Sequence, residues 1–261
     1  MALILLPPSE SKYQPGAGPS LDLANRPEPL REPTRQVAGT LVELCAGDPV
    51  VAAKVLSLNE SQLPLVEANA ELLSAPTAAA RRIYTGVVFD ALDPGSLTTS
   101  ERRRADRDVW VASSLFGVVR LGERIPAYRL TAGTRLPGLD PLGTIWRSAV
   151  DQVLRPAVAQ RGVLLDLRSG AYRPLWPIPR NLADSCVVGK IWQATPDGGR
   201  IAASHDNKAS KGRLTRDLMR SGRRLTSPRA VLEAAVEAGW TADLLPADGG
   251  RPWRLDVTID R

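Results

Sequence analysis

"CVVGKIWQATPDGGRIAAS", residues 186–204, is the stretch on which the fold turns. Two apolar runs flank "TPDGG", and Asp-Gly and Gly-Gly supply the backbone freedom that a tight antiparallel turn demands. One hairpin of this kind excludes a wholly parallel sheet. Upstream, "GVLLDLRSGAYR" (162–173) carries a short apolar run, 163–167, bounded by Gly162 and "RSG", as a buried strand feeding a loop should. Downstream, "WRLDVTI" (253–259) reads as the last strand. At the start, "LILL" (3–6) is a buried strand halted by Pro7 and Pro8, which have no N–H for a ladder.

Helical periodicity fills the spaces between. Residues 34–82 form a helical scaffold: "TRQVAGTLVELC", "DPVVAAKVLSL" and "SQLPLVEANAELL" place apolar residues three or four apart, with Asp48 before Pro49 as a helix start. "RRADRDVWVASSLFGVVR" begins as a charged helix and turns apolar over 109–119, entering a buried strand. "TIWRSAVDQVLRPAVA" is helical, with Pro156 as a kink or stop. Strands alternating with helices, plus the hairpin, predict a mixed α/β (α+β) fold over 1–261 as one domain, a mixed sheet with surrounding helices.

The chain has 261 residues, 43% of them hydrophobic and 24% charged, ordinary values for a packed protein. Its net charge of +6 favours anionic partners. The two cysteines, Cys45 and Cys186, lack metal or redox spacing, which fits a reducing compartment. The lone histidine, His205, excludes a multi-histidine metal site but leaves axial ligation of a haem open. The apolar start is too short to span a bilayer and lacks a preceding positive charge, so a cytoplasmic protein without membrane association is expected.

Positive charge is concentrated in "ASHDNKASKGRLTRDLMRSGRR" (203–224), where Lys208, Lys211, Arg213, Arg216, Arg220, Arg223 and Arg224 face only Asp206 and Asp217. On a helix, Arg213, Arg216, Arg220 and Arg224 make one stripe, and Leu214 and Leu218 another. A solvated face is the plain reading. The scarcity of pairing acids puts an anion grip ahead of it, and the guanidinium fork suits phosphate. Ser227, Pro228 and Gly239 start and stop a following helix, so 208–239 has the outline of a helix-turn-helix or hairpin-like pair, an outline that ordinary packing pairs share. His205 beside Asp206 and Asn207 reads first as a hydrogen-bonded loop residue and second as a general acid or base, or a ligand.

The loop "SESKYQPGAGP" after the first strand lies where open α/β sheets bind ligands. In "LRSGAYR", Arg168 with the amides of Ser169 and Gly170 could cradle phosphate, and a plain turn is as well supported. Arg120 and Arg129 each close an apolar stretch and should be half-buried, requiring an anionic partner, either Asp166 or a ligand phosphate. Tyr84, Tyr128 and Trp146 suit a core with satisfied polar ends as well as a site. No G-x-G-x-x-G, Walker loop, G-x-S-x-G elbow or zinc spacing is present, which disfavours the chemistries those motifs serve.

Taken together, "LILLPPSESK", "YTGVVFDAL", "SSLFGVVRLGERIPAYRL", "LDLRSGAY" and "SHDNKASKGRL" resemble the bacterial YaaA family of peroxide stress resistance proteins, in order and over nearly the whole chain. The resemblance implies a cytoplasmic protein of oxidative stress, limiting iron damage and protecting DNA, with a mixed α/β body and a basic cleft able to bind DNA. Residues in matching motifs are Lys12, Tyr84, Gly86, Gly117, Arg120, Tyr128, Arg129, Lys208, Lys211 and Gly212. Many relatives carry an aromatic residue where this chain has His205 and a shorter "LAS" where it has "LRSGAY", so a role for His205 does not extend to the whole family.

Three readings compete, the plainest a basic interaction module with no small-molecule site. The candidate phosphate or nucleic-acid ligands are Lys12, Arg120, Arg129, Arg168, Ser169, Lys208, Lys211, Arg213, Arg216 and Arg220. As a DNA-binding protein the chain would contact backbone phosphates through the stripe from Arg213 to Arg224, whereas for a nucleotide Lys12, Arg129, Arg168, Lys208 and Lys211 would converge on its phosphate. As an enzyme acting on a nucleotide, it would use Tyr84, Tyr128 and His205 for chemistry, and a haem-dependent N-hydroxylation of an adenine nucleotide, with His205 as axial ligand, is one version. The cofactor is otherwise unspecified.

Overall fold

A computed structural model describes residues 2–197, 199–202 and 206–259. Its strands are β1 (Leu3–Leu6), β2 (Ala78–Ala79), β3 (Val109–Ser113), β4 (Gly117–Arg120), β5 (Arg124–Ile125), β6 (Leu164–Asp166), β7 (Cys186–Ala194), β8 (Arg200–Ala202), β9 (Thr241–Leu245) and β10 (Trp253–Ile259). Its helices are α1 (Glu28–Ala46), α2 (Pro49–Val55), α3 (Pro64–Ala70), α4 (Ala80–Ile83), α5 (Val87–Leu92), α6 (Thr99–Asp108), α7 (Leu142–Arg161), α8 (Asp206–Arg220) and α9 (Pro228–Glu237).

The main sheet runs β4-β3-β1-β6-β7-β10-β9. From β3 to β10 every neighbouring pair is parallel. The outer strands β4 and β9 are antiparallel to their neighbours. β6 is only three residues long and covers Cys186–Val188 of β7, so the hairpin strand β8 pairs with the remainder of that edge, Trp192 opposite Ala202. The sheet is therefore mixed, as "TPDGG" requires. Every residue of β1, β3 and β6 is buried, so both faces of these strands are covered.

Several boundaries differ from the sequence reading. The first helix starts at Glu28, not Thr34, and contains Pro33. Pro29 stands in its first turn, where a missing N–H costs nothing. Likewise α7 continues through Pro156 to Arg161, closed by Gly162 in the left-handed conformation, so that proline is not a stop. The apolar run 109–119 is two strands, because Gly117 at φ 67 reverses the chain. A Cβ there would lie 2.6 Å from the Trp146 ring, so glycine is needed on packing grounds too. Thr241–Leu245 (TADLL), an edge strand with no buried residue, carries no alternating apolar signal for the sequence to show. Ser227 caps α9 through the amide of Ala230, as expected.

The helix α7 lies against β1 and β4, with α1 packed on it, while α8 lies against α5 and β7. Trp146 is fully buried and donates its indole N–H to the Ser114 carbonyl at 2.8 Å. Both cysteines are buried free thiols. Among the described residues there is no cluster of metal-ligating side chains, and no helix is long and apolar enough to cross a membrane.

Candidate functional site

The chain leaves β1 toward β3 and leaves β6 toward β7, on opposite sides of the β1–β6 pair. Connections that diverge from neighbouring parallel strands open a crevice at their carboxyl ends, the place where such sheets bind ligands. Two loops border it here: 7–12 after β1 and 167–172 after β6.

The first loop is pinned to "YTG". Lys12 and Tyr84 form an isolated antiparallel bridge, the Tyr13 amide donates to the Ile83 carbonyl at 2.8 Å, and the Thr85 amide donates to Ser9 Oγ at 3.2 Å. Lys12 Nζ thereby reaches the Ser9 carbonyl at 2.8 Å and sits 4.2 Å from the centre of the Tyr128 ring and 5.5 Å from that of Tyr84. Burial lowers its pKa to about 7; the nearby Glu10 carboxylate opposes that shift and the Arg129 cation adds to it.

Behind Lys12 lies a chain of hydroxyls. Ser113 Oγ is 2.7 Å from Tyr128 Oη, which is 3.0 Å from Tyr84 Oη. Ser113 Oγ also accepts the Phe116 amide at 3.0 Å. Both phenols are pushed well up from their ordinary value, chiefly by burial. Phe89 stacks on Tyr84, and Phe116 meets Tyr128 edge-on. Arg26, a buried residue that the sequence did not mark, donates to the Phe116 and Val118 carbonyls and pairs with Glu123. The tyrosines thus have satisfied polar ends, and they also form the wall of the lysine site.

Arg129 is mostly buried and pairs with Glu10, not with Asp166. Its backbone is fixed by both ends of the Asn69 amide, at 2.8 and 2.9 Å, while its Nε is buried and unpartnered. Asp166 instead takes Arg168 on both oxygens at 2.9 and 2.8 Å, and Arg168 also donates to the Tyr172 carbonyl at 3.3 Å. Ser169 follows half-buried in the loop.

Lys211 is 8% exposed on α8. Burial lowers its pKa; Asp166 opposes the shift, and Arg173 and Lys208 add to it, so these four groups are neighbours. Beside them an open cleft of about 520 Å³ is lined by Arg147, Asp166, Arg168, Gly170 and Arg173 among others. Arg147 and Arg173 were missed because isolated arginines in a helix and a turn carry no local pattern.

Other expected residues lie elsewhere. Arg120 is exposed over the Trp110 ring, paired in register with Trp110 near the amino end of β3, so it is neither half-buried nor beside the crevice. Arg213 and Arg220 are exposed, and Arg216 is half-buried beside Asp217. Arg220 bonds Ser96 at 3.0 Å and stands about 18 Å along the helix from Lys208. Arg223 pairs with Glu233 and Glu237 of α9. The basic segment is therefore divided: its amino end joins the crevice and its carboxyl end faces outward. His205 lies outside the described residues.

A family model described as peroxide stress protein YaaA matches residues 2–243. The chain belongs to the YaaA family. A UPF0246 protein of Streptomyces coelicolor is 43% identical over 259 residues, spanning 98% of both chains. A UPF0246 protein of Corynebacterium efficiens is 38% identical over 260 residues, covering 98% of this chain and 100% of its own. A more distant UPF0246 protein of Burkholderia pseudomallei is 27% identical over 223 residues, 83% of this chain and 80% of its own. Membership in the YaaA family thus extends across both crevice loops and α8.

Proposed function

We propose that the protein serves the peroxide-stress role of its family by binding a phosphate-bearing ligand, a nucleotide or the backbone of DNA, at the crevice between β1 and β6. The observation that carries this reading is the charge around Asp166. Both oxygens of that carboxylate are taken by Arg168, Arg147 and Arg173 line the cleft beside it, and Lys211 on α8 neighbours Asp166, Arg173 and Lys208, with no ion pair to Arg147, Arg173, Lys208 or Lys211 among the described residues. Surplus cations at a concave, partly buried site call for an anion. Arg168 acts here as the structural partner of Asp166, and Lys211 and Arg173 as the phosphate ligands.

Fluorescence anisotropy with a labelled duplex, competed with AMP, and separately with a fluorescently labelled AMP, tests binding of each. Displacement by AMP identifies a nucleotide site; duplex binding without competition, falling steeply with salt, identifies the backbone. Absence of both at low salt overturns the reading.

A second reading, chemistry on the bound nucleotide, is favoured by the half-buried Lys12 against the Tyr84–Tyr128–Ser113 chain. Its haem-dependent version rests on His205, which lies outside the described residues.

A further inference from the structure

The sequence marks Lys12 and Lys211 alike as phosphate ligands, yet the surroundings of Lys12 differ. An ammonium has three N–H donors. Among the described residues Lys12 Nζ has a single acceptor, the Ser9 carbonyl, and no carboxylate within ion-pair distance. The obvious counter-ion, Glu10, is turned to Arg129. The face of the Tyr128 ring lies against Nζ, with Tyr84 beside it, and the lysine as a whole is half-buried. A charged group so placed lacks most of its hydrogen bonds, whereas a neutral amine keeps one N–H on Ser9 and a lone pair free.

We propose that Lys12 is the proton acceptor of the crevice, taking a proton from an acidic N–H or O–H of the phosphate-bearing ligand instead of holding its phosphate. The proton moves from that ligand atom to Nζ, leaving its bonding pair on the ligand. The ammonium so formed is stabilised by the Tyr128 ring, at 4.2 Å, and by the nearby Glu10 carboxylate. Behind that ring, Ser113, Tyr128 and Tyr84 are joined by two hydrogen bonds, and burial keeps both phenols protonated, so the aromatic wall against Nζ stays neutral.

Depressed basicity supports the assignment: burial brings Lys12 close to neutrality, where a base is most effective. Glu10 favours the proton on Lys12 and Arg129 opposes it.

This inference builds on the phosphate reading, and its test separates the two. The full chain is labelled at lysine ¹³Cε and ¹⁵Nζ, Lys12 is assigned through Lys12→Arg and Lys211 through Lys211→Gln, and both are titrated by NMR with and without inorganic phosphate. Lys12 should titrate near neutrality and keep its midpoint when phosphate is added, while the Lys211 signal shifts. A Lys12 midpoint in the ordinary lysine range, with or without phosphate, overturns the proposal. A Lys211 signal indifferent to phosphate counts against the phosphate reading alone.

Discussion

Arg168 holds both oxygens of Asp166 from two residues away, and both side chains are almost completely buried at the carboxyl edge of the sheet. A pair so enclosed is costly to break from one side, because the survivor keeps its charge without a partner. Asp166→Asn should destabilise the protein by about 3–5 kcal/mol, read by urea unfolding, whereas replacing both residues with leucine should cost much less.

Gly212 decides how closely α8 approaches α5. A Cβ there would lie 2.1 Å from the Val88 carbonyl oxygen and 2.8 Å from the Leu92 amide nitrogen, both rigid backbone atoms. Gly212→Ala should therefore push the helices apart at a cost of about 1–3 kcal/mol, seen as a lower midpoint of thermal unfolding.

Tyr128→Phe removes the central hydroxyl and leaves those of Ser113 and Tyr84 without their shared partner. The loss should be about 1–3 kcal/mol in denaturant titration, with the ring that supports Lys12 still in place. Phosphate affinity should be preserved, since neither Lys211 nor Arg173 touches this phenol.

The depressed basicity of Lys12 has a definite sign in stability. Below about pH 7 the lysine is protonated in both folded and unfolded chains, and the folded state bears the full burial cost. Between there and the ordinary lysine range the unfolded chain binds more protons, so stability rises with pH. Lys12→Met should accordingly exceed the wild type in stability at pH 6, and the difference should shrink as pH rises to about 9–10 in paired unfolding curves.

For DNA, Arg173→Gln and Lys211→Gln should each lower the slope of log affinity against log salt by about one unit. Arg220→Gln, at the outward end of α8, should leave that slope unchanged in the same anisotropy titration.

The residue patterns alone determined the strands at 3–6 and 253–259, the hairpin around "TPDGG", the cap at Ser227 and the mixed character of the sheet. Each depends on backbone freedom at glycine and proline or on a short hydrophobic period, properties that neighbouring residues define among themselves. The resemblance to the YaaA family and the charge density of 203–224 marked Lys12, Tyr84, Tyr128, Arg129 and Lys211, but not what each would touch. Only tertiary structure joined Glu10 to Arg129, 119 residues apart, turned Arg168 inward and Arg120 outward, and stripped Lys12 of a counter-ion. Charge pairing acts through space over a few ångströms, so it is settled by which loops the sheet brings to one edge, and no local period encodes that.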